Sequence, residues 1–161
     1  MRNSIYLPMA VLLTAALARP AAAAPDKQVP FSGSMQGTEG GGVPQGGFVL
    51  VNGSGAGIAT HLGRFTMTWA VTVNLSNGTA TGSFHFTAAN GDTVDTSIAG
   101  SSEPTPTPEV FRITEINTIT SGTGRFANAQ GTFIMERLTD LNTGFTSGSF
   151  HGTITPPGAA K

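Results

Sequence analysis

The segment "GRFTMTWAVTVNL", from Gly63 to Leu75, decides the fold class of this chain. Apolar side chains occupy every second position from Phe65 onward, and Thr, Ala or Asn occupies the positions between them. Successive side chains of an extended strand point to opposite faces, whereas a helix repeats every ~3.6 residues. This spacing therefore predicts a β-strand that buries one face and exposes the other.

The rest of the chain repeats this pattern. The pair Asn77–Gly78 is a strong hairpin signal, and "TATGSFHFTAA" alternates again directly after it. β-Branched residues and Gly dominate the chain, and both disfavour helix. Further strands are expected around Val29–Thr38, Phe48–Thr60, Thr93–Ser101, Val110–Thr120, Thr132–Thr139 and Gly144–Thr155.

Eight short strands in one domain indicate an all-β architecture. We predict a single eight-stranded antiparallel β-barrel, with a two-layer sandwich as the alternative. Closure is physically attractive, because a closed sheet has no unpaired edge and this chain has few charged residues to protect one. Charged residues are 11% of the sequence, against roughly 25% in ordinary globular proteins.

Charge and cysteine content exclude several functions. The formal net charge of −1 provides no basic field, so we expect no nucleic-acid partner. The sequence has no Cys, which excludes disulfides, thiolate nucleophiles and Cys-ligated metals.

The N-terminal segment has the features of a secretory signal peptide. Arg2 precedes an apolar stretch from Ile5 to Leu17, and small residues follow it. The apolar stretch is shorter than the ~20 residues of a transmembrane helix, so we expect no stable membrane insertion. We predict a signal peptide at 1–23, an N-terminal tail at 24–30, the barrel at 31–155 and a C-terminal tail at 156–161. The mature protein would be secreted or periplasmic, with six Lys and Arg against nine Asp and Glu and a net charge of −3.

A glycine-rich corner interrupts the last part of the chain. "SGTGRFANAQGTF", Ser121 to Phe133, contains Gly-x-Gly, but a phosphate-binding loop needs a helix after the glycines. At most one helical turn fits before the strand pattern returns. We interpret the segment as a tight corner in which glycine permits a positive φ and Phe126 plugs one end of the core.

This corner resembles a segment of a known superfamily. "ITSGTGRFANAQGTF" is similar to the "GGTGRFxxARG" segment of the dirigent and allene oxide cyclase superfamily, and "GIATHLGRFT" and "AANGD" resemble segments of small exported bacterial barrels of that type. The resemblance implies an eight-stranded antiparallel barrel without metal or organic cofactor. Its plant members are isomerases that steer cyclisation of a fatty-acid epoxide, or proteins that steer coupling of phenoxy radicals.

Two glutamates flank the corner and are the candidate catalytic residues. Glu115 and Glu136 lie on strands that should pair, and each could share a face with apolar residues. If both faces point inward, the two carboxyls would approach each other in an apolar cavity, where desolvation raises the pKa and suits acid–base chemistry. The alternative is that the charged side chains point outward and form weak ion pairs.

Other candidate residues are less distinctive. Asn117, Trp69 and Phe84 are the predicted ligand-binding residues, although alternation with aliphatic residues also explains Trp69 and Phe84 as core. The three histidines lack ligand spacing, so no metal site and no cofactor is predicted.

The sequence therefore predicts an exported, non-catalytic barrel. It would bind a small hydrophobic ligand or a partner. The alternatives are a cofactor-free isomerase or cyclase acting on a hydrophobic substrate, and a structural protein that self-associates as a homo-oligomer. An open apolar cavity containing Glu115 or Glu136 would favour the enzyme. An interior filled by Phe65, Trp69 and Phe84 would favour the non-catalytic functions.

Overall fold

A computed structural model describes residues 27–159, which form a closed barrel of eight antiparallel strands. Each strand pairs with the next one along the chain, and the last pairs with the first. The predicted barrel is thus confirmed. The strands are β1 Val29–Gly41, β2 Phe48–Ala59, β3 Gly63–Asn74, β4 Thr79–Ala88, β5 Thr93–Pro104, β6 Val110–Gly122, β7 Gly131–Asp140 and β8 Phe145–Ile154.

The chain boundaries differ slightly from those predicted. The signal peptide predicted at 1–23 and the first residues of the predicted tail lie outside the described residues. Strand β1 begins at Val29, where the predicted strand Val29–Thr38 begins, so Val29 and Pro30 of the segment assigned to the tail are in β1. Strand β8 ends at Ile154, next to the predicted boundary at Thr155.

The alternation predicted for β3 separates the inside of the barrel from the outside. Phe65, Met67, Trp69 and Val71 are buried, and the Thr and Ala residues between them are exposed. Inward aromatic rings from several strands pack together, because the sequence places Phe at buried positions on β1, β4, β7 and β8. The ring centroids of the pairs Phe31–Phe133, Phe31–Phe150, Phe65–Phe86 and Phe133–Phe150 lie 5.3, 5.1, 5.4 and 5.1 Å apart.

Inward-facing glycines make room for these large side chains. A Cβ atom built on Gly53 of β2 would overlap the Trp69 ring. A Cβ on Gly148 would lie 2.6 Å from Cβ of Arg137. The glycines of β2 and β8 therefore allow large side chains from the adjacent strands, β3 and β7, to lie over them.

One end of the barrel, here called the corner end, is closed by the glycine corner. A single 3₁₀ turn spans Gly124–Phe126, and Phe126 is fully buried. Gly124 has φ 57°, and a Cβ there would overlap the Asp92 carboxylate. The prediction of a tight turn plugged by Phe126 is confirmed, and no helix that could hold a phosphate follows it within the described chain.

Candidate functional site

The two candidate glutamates lie on opposite sides of the barrel wall. Strand register pairs Glu115 with Met135 and places Glu136 beside Thr114. Glu115 is inside and fully buried, whereas Glu136 is exposed on the outer face. The condition for an approach of the two carboxyls, that both point inward, is therefore not met, and the outward alternative holds for Glu136. Strand β7 points Phe133, Met135, Arg137 and Thr139 inward, and Glu136, between Met135 and Arg137, therefore points outward.

Arg137 is the residue that meets Glu115 inside the barrel. Its Nε donates to Glu115 Oε2 at 3.1 Å, and its Nη2 donates to Oε1 at 3.2 Å. This two-pronged geometry matches a guanidinium to a carboxylate and is stronger than a single hydrogen bond. Both carboxylate oxygens of Glu115 are thereby engaged by one cation.

A second carboxylate reaches the same guanidinium from β1. Arg137 Nη1 donates to Glu39 Oε2 at 2.7 Å, and Trp69 Nε1 donates to the same oxygen at 2.9 Å. The guanidinium carbon of Arg137 also lies 5.7 Å from the centroid of the Trp69 ring. The Glu39 carboxylate therefore accepts hydrogen bonds from both the Trp69 indole and the Arg137 guanidinium.

Two threonines complete what we call the Arg137 network: Glu39, Trp69, Glu115, Arg137, Thr139 and Thr146. The hydroxyls of Thr139 and Thr146 each lie 3.1 Å from Arg137 Nη1, and Thr139 Oγ1 donates to Thr146 Oγ1 at 2.9 Å. No buried side-chain nitrogen or oxygen of residues 27–159 lacks a hydrogen-bond partner. The buried polar atoms of the network are therefore satisfied by the protein's own groups.

Burial and neighbouring charges both shift the pKa values of Glu115 and Arg137. Burial raises the pKa of Glu115, Arg137 opposes that rise, and the nearby Glu39 carboxylate adds to it. Burial also tends to lower the pKa of Arg137, but Glu115 and Glu39 outweigh it, so the pKa of Arg137 is raised on balance. The Arg137 guanidinium thus pairs with two carboxylates, those of Glu115 and Glu39, and stays protonated.

The predicted ligand-binding residues also lie in the interior. Asn117 is fully buried; its Oδ1 accepts from Thr96 Oγ1 at 2.9 Å, and its Nδ2 donates to the backbone carbonyl of Glu115 at 3.3 Å. Phe84 packs edge-on against Trp69, with ring centroids 6.0 Å apart. Phe65, Trp69 and Phe84 are only 3%, 4% and 1% exposed, so they fill the interior. Their role in ligand binding stays a prediction.

Sequence reasoning missed Arg137 and Glu39. The signal for Arg137 was its period-two spacing from Phe133 and Met135. The signal for Glu39 was its spacing of four and eight residues from Met35 and Phe31, which places all three on one strand face. Glycines at the intervening inward positions concealed that face.

The histidines lie outside the Arg137 network. His85 Nδ1 lies 2.5 Å from Asp95 Oδ1, and its Nε2 lies 3.3 Å from Thr87 Oγ1. Asp95 Oδ2 also accepts from Ser121 Oγ at 2.8 Å. This row crosses β4, β5 and β6 on the exposed face, where it ties neighbouring strands together.

No protein-family model matches the sequence, and neither a curated protein nor a solved structure matches it. Among residues 27–159, no helix is long and apolar enough to cross a membrane. What the chain does must therefore be inferred from its own geometry.

Proposed function

We propose that this chain is an exported, non-catalytic binding module. The barrel is its rigid scaffold, and its partner contacts the outer surface. The observation that carries the proposal is the filled interior, where Phe65, Trp69 and Phe84 cross the space that a ligand would need. The signal peptide predicted at 1–23 is what supports export.

The engaged state of Glu115 favours a non-catalytic role. A general base must come within hydrogen-bond distance of the proton that it removes, which requires space beside it for the substrate. Glu115 is fully buried, and its carboxylate faces the Arg137 guanidinium instead of open space. The network is therefore better suited to holding β1, β6 and β7 together than to acid–base chemistry.

Self-association is a second candidate, and the outer face of β6 and β7 supports it. Ile116 and Ile134 pair directly across these strands and are 56% and 38% exposed. Arg112 and Glu136 lie on the same face, and neither has an ion-pair partner within residues 27–159. A second copy could cover the isoleucines and supply opposite charges.

An isomerase of the allene oxide cyclase type is the remaining rival. It is supported by the resemblance of the corner sequence and by the interior position of Glu115 beside Asn117. Turnover of a fatty-acid epoxide by the purified protein, lost in Glu115→Gln, would establish it in place of the non-catalytic function.

Photo-crosslinking in a secreting host tests the proposed function. A photoreactive residue would replace one outward side chain at a time, at Thr68, Thr81, Ser97, Thr132 or Ser149. We expect a specific adduct from a contiguous subset of these positions, and none without light. Absence of adducts from all five positions would contradict binding through the outer surface. An adduct between two copies of the chain would favour self-association.

A further inference from the structure

A cleft opens at the corner end of the barrel, on the outside, where β6 and β7 separate. Its volume is about 720 Å³, within the range of ~300–1,000 Å³ that is usual for ligand sites. One wall is the last part of β6, and the other is the segment that leads from the corner into β7. The lining residues are Gln28, Thr118, Ile119, Thr120, Ser121, Gly122, Asn128, Ala129, Gln130, Gly131, Thr132 and Thr153.

A β-bulge lies in β6 next to the point where the strands separate. On the β5 side, Ser121 pairs with Asp95 and Ile119 pairs with Thr96, so Thr120 is an extra residue. Thr120 Oγ1 donates to the carbonyl of Asp95 at 3.2 Å. A bulge bends its strand and increases the local twist, and this one coincides with the end of pairing between β6 and β7.

The separation leaves one strand edge without a partner. Pairing between β6 and β7 stops at Thr118 and Thr132, although β6 continues to Gly122. Over Ile119–Gly122, β6 pairs only with β5 within the described chain. A free edge presents backbone N–H and C=O groups that another extended chain can match.

The opposite wall is hydrogen-bonded to Thr155, the residue that follows β8. The backbone N–H of Gln130 donates to Thr155 Oγ1 at 3.1 Å, and the N–H of Thr155 donates to the carbonyl of Gln130 at 2.7 Å. Closure of this wall onto β6 would therefore have to break these two hydrogen bonds.

The chemistry of the lining indicates an uncharged ligand. The polar side chains of the lining are hydroxyls and carboxamides, and none is ionisable. A charged ligand would lose hydration without gaining an opposite charge. No aromatic side chain lines the cleft for stacking against a sugar ring, which favours a peptide over a carbohydrate.

We propose that this cleft binds an uncharged, extended segment of a partner polypeptide, which adds as a short strand to the free edge of β6. The inference rests on the proposed function, and it names the site and the partner class. Main-chain hydrogen bonds from Ile119–Gly122 hold the segment, and the neutral side chains of the cleft exclude charged sequences.

Selection from a displayed library of short random peptides composed of uncharged residues tests this site. The affinity of a selected synthetic peptide would then be measured by fluorescence anisotropy. Thr132→Trp places a bulky side chain in the cleft, and Thr153→Trp is a second variant of the same kind. Thr81→Trp is the matched control, because Thr81 is also an exposed strand threonine but lies on β4. Circular dichroism would establish that each variant retains its strands.

We expect each cleft variant to weaken binding at least about tenfold, and the control to leave it within about twofold. We also expect bound peptide to slow hydrogen exchange of at least one amide in Ile119–Gly122 while β4 is unaffected. Equal binding by both cleft variants, or failure to select any peptide, would overturn the inference. Binding of a neutral oligosaccharide that Thr132→Trp abolishes would overturn the peptide assignment. The crosslinking experiment decides the proposed function separately, because it does not depend on which outer surface is used.

Discussion

Arg137 and Glu115 form a two-pronged ion pair, with hydrogen bonds of 3.1 and 3.2 Å, inside a barrel otherwise filled mainly by apolar side chains. Buried ion pairs are weak evidence of stability in themselves, because desolvation offsets much of the attraction. Removal of a single member, however, leaves uncompensated charge. Substitution of Arg137 and substitution of Glu115 should therefore destabilise the protein to different extents.

Arg137→Met should destabilise the protein more than Glu115→Gln. The first leaves two buried carboxylates without their cation and should lower the free energy of unfolding by ~3–5 kcal/mol. The second leaves Arg137 paired with Glu39 and should lower it by about 1–2 kcal/mol. Urea unfolding can be followed by the fluorescence of Trp69, the single Trp of the chain.

The matched control for these variants is Arg112→Met, because Arg112 is exposed on the outer face of β6. It should change the free energy of unfolding by no more than about 0.5 kcal/mol. Equal losses in Arg137→Met and Arg112→Met would show that the buried network does not stabilise the fold.

Glu115 should titrate above the ordinary glutamate pKa of 4.5, because burial outweighs the attraction of Arg137. A raised folded-state pKa contributes stability that is present below pH 4.5 and is lost as the pH rises through the folded-state value. Carbon-13 NMR of the side-chain carboxyl measures this directly. Arg137→Met should raise the pKa of Glu115 further; a lower value in that variant would contradict the assignment.

Asp92 should make the corner end sensitive to acid. Asn90 Nδ2 donates to Asp92 Oδ2 at 2.8 Å, and the backbone N–H of Arg125 donates to it at 3.3 Å. These hydrogen bonds lower the pKa of Asp92 below its ordinary 3.8. Its stabilisation is therefore present above pH 3.8 and is lost as the pH falls through the lower folded-state pKa. Asp92→Asn should reduce this dependence in acid unfolding, and an unchanged acid profile would refute it.

Gly53→Ala should disturb the position of Trp69. The added methyl group would overlap the indole ring, and overpacking of this kind should lower the free energy of unfolding by ~1–3 kcal/mol. Trp69 emission should also shift. Gly40→Ala is the control, because nothing lies within 4 Å of its added Cβ. If both variants behave like wild type, the glycines of β2 do not set the packing of the interior.

The sequence was sufficient to predict the strands of this barrel but not the phase of every strand. On β3 the two faces differ clearly, since Phe65, Met67 and Trp69 alternate with Thr. On β7 both faces carry apolar residues and at least one charged residue, so alternation alone cannot say whether Glu136 or Arg137 points inward. Pairing with β6 and β8 decides that question.

Neither the Glu39–Arg137 contact nor the cleft could be predicted from the sequence, because both depend on contacts between distant parts of the chain. Glu39 and Arg137 are 98 residues apart in the chain, and no local pattern connects them. The β-bulge beside the cleft is formed by one extra residue, Thr120. Its position in the sequence does not distinguish it from the other strand threonines. The Glu39–Arg137 contact and the cleft both follow from the register between paired strands, which is set only in the folded barrel.

Native mass spectrometry of the gently purified protein tests the filled interior most directly. We expect the mass of the processed chain, or of a multiple of it, with no retained apolar molecule and no change in Trp69 emission after solvent extraction and refolding. A stoichiometric lipid or phenolic compound that is released together with a shift in Trp69 emission would show that the interior opens to hold a ligand. That result would contradict a barrel that binds only through its outside.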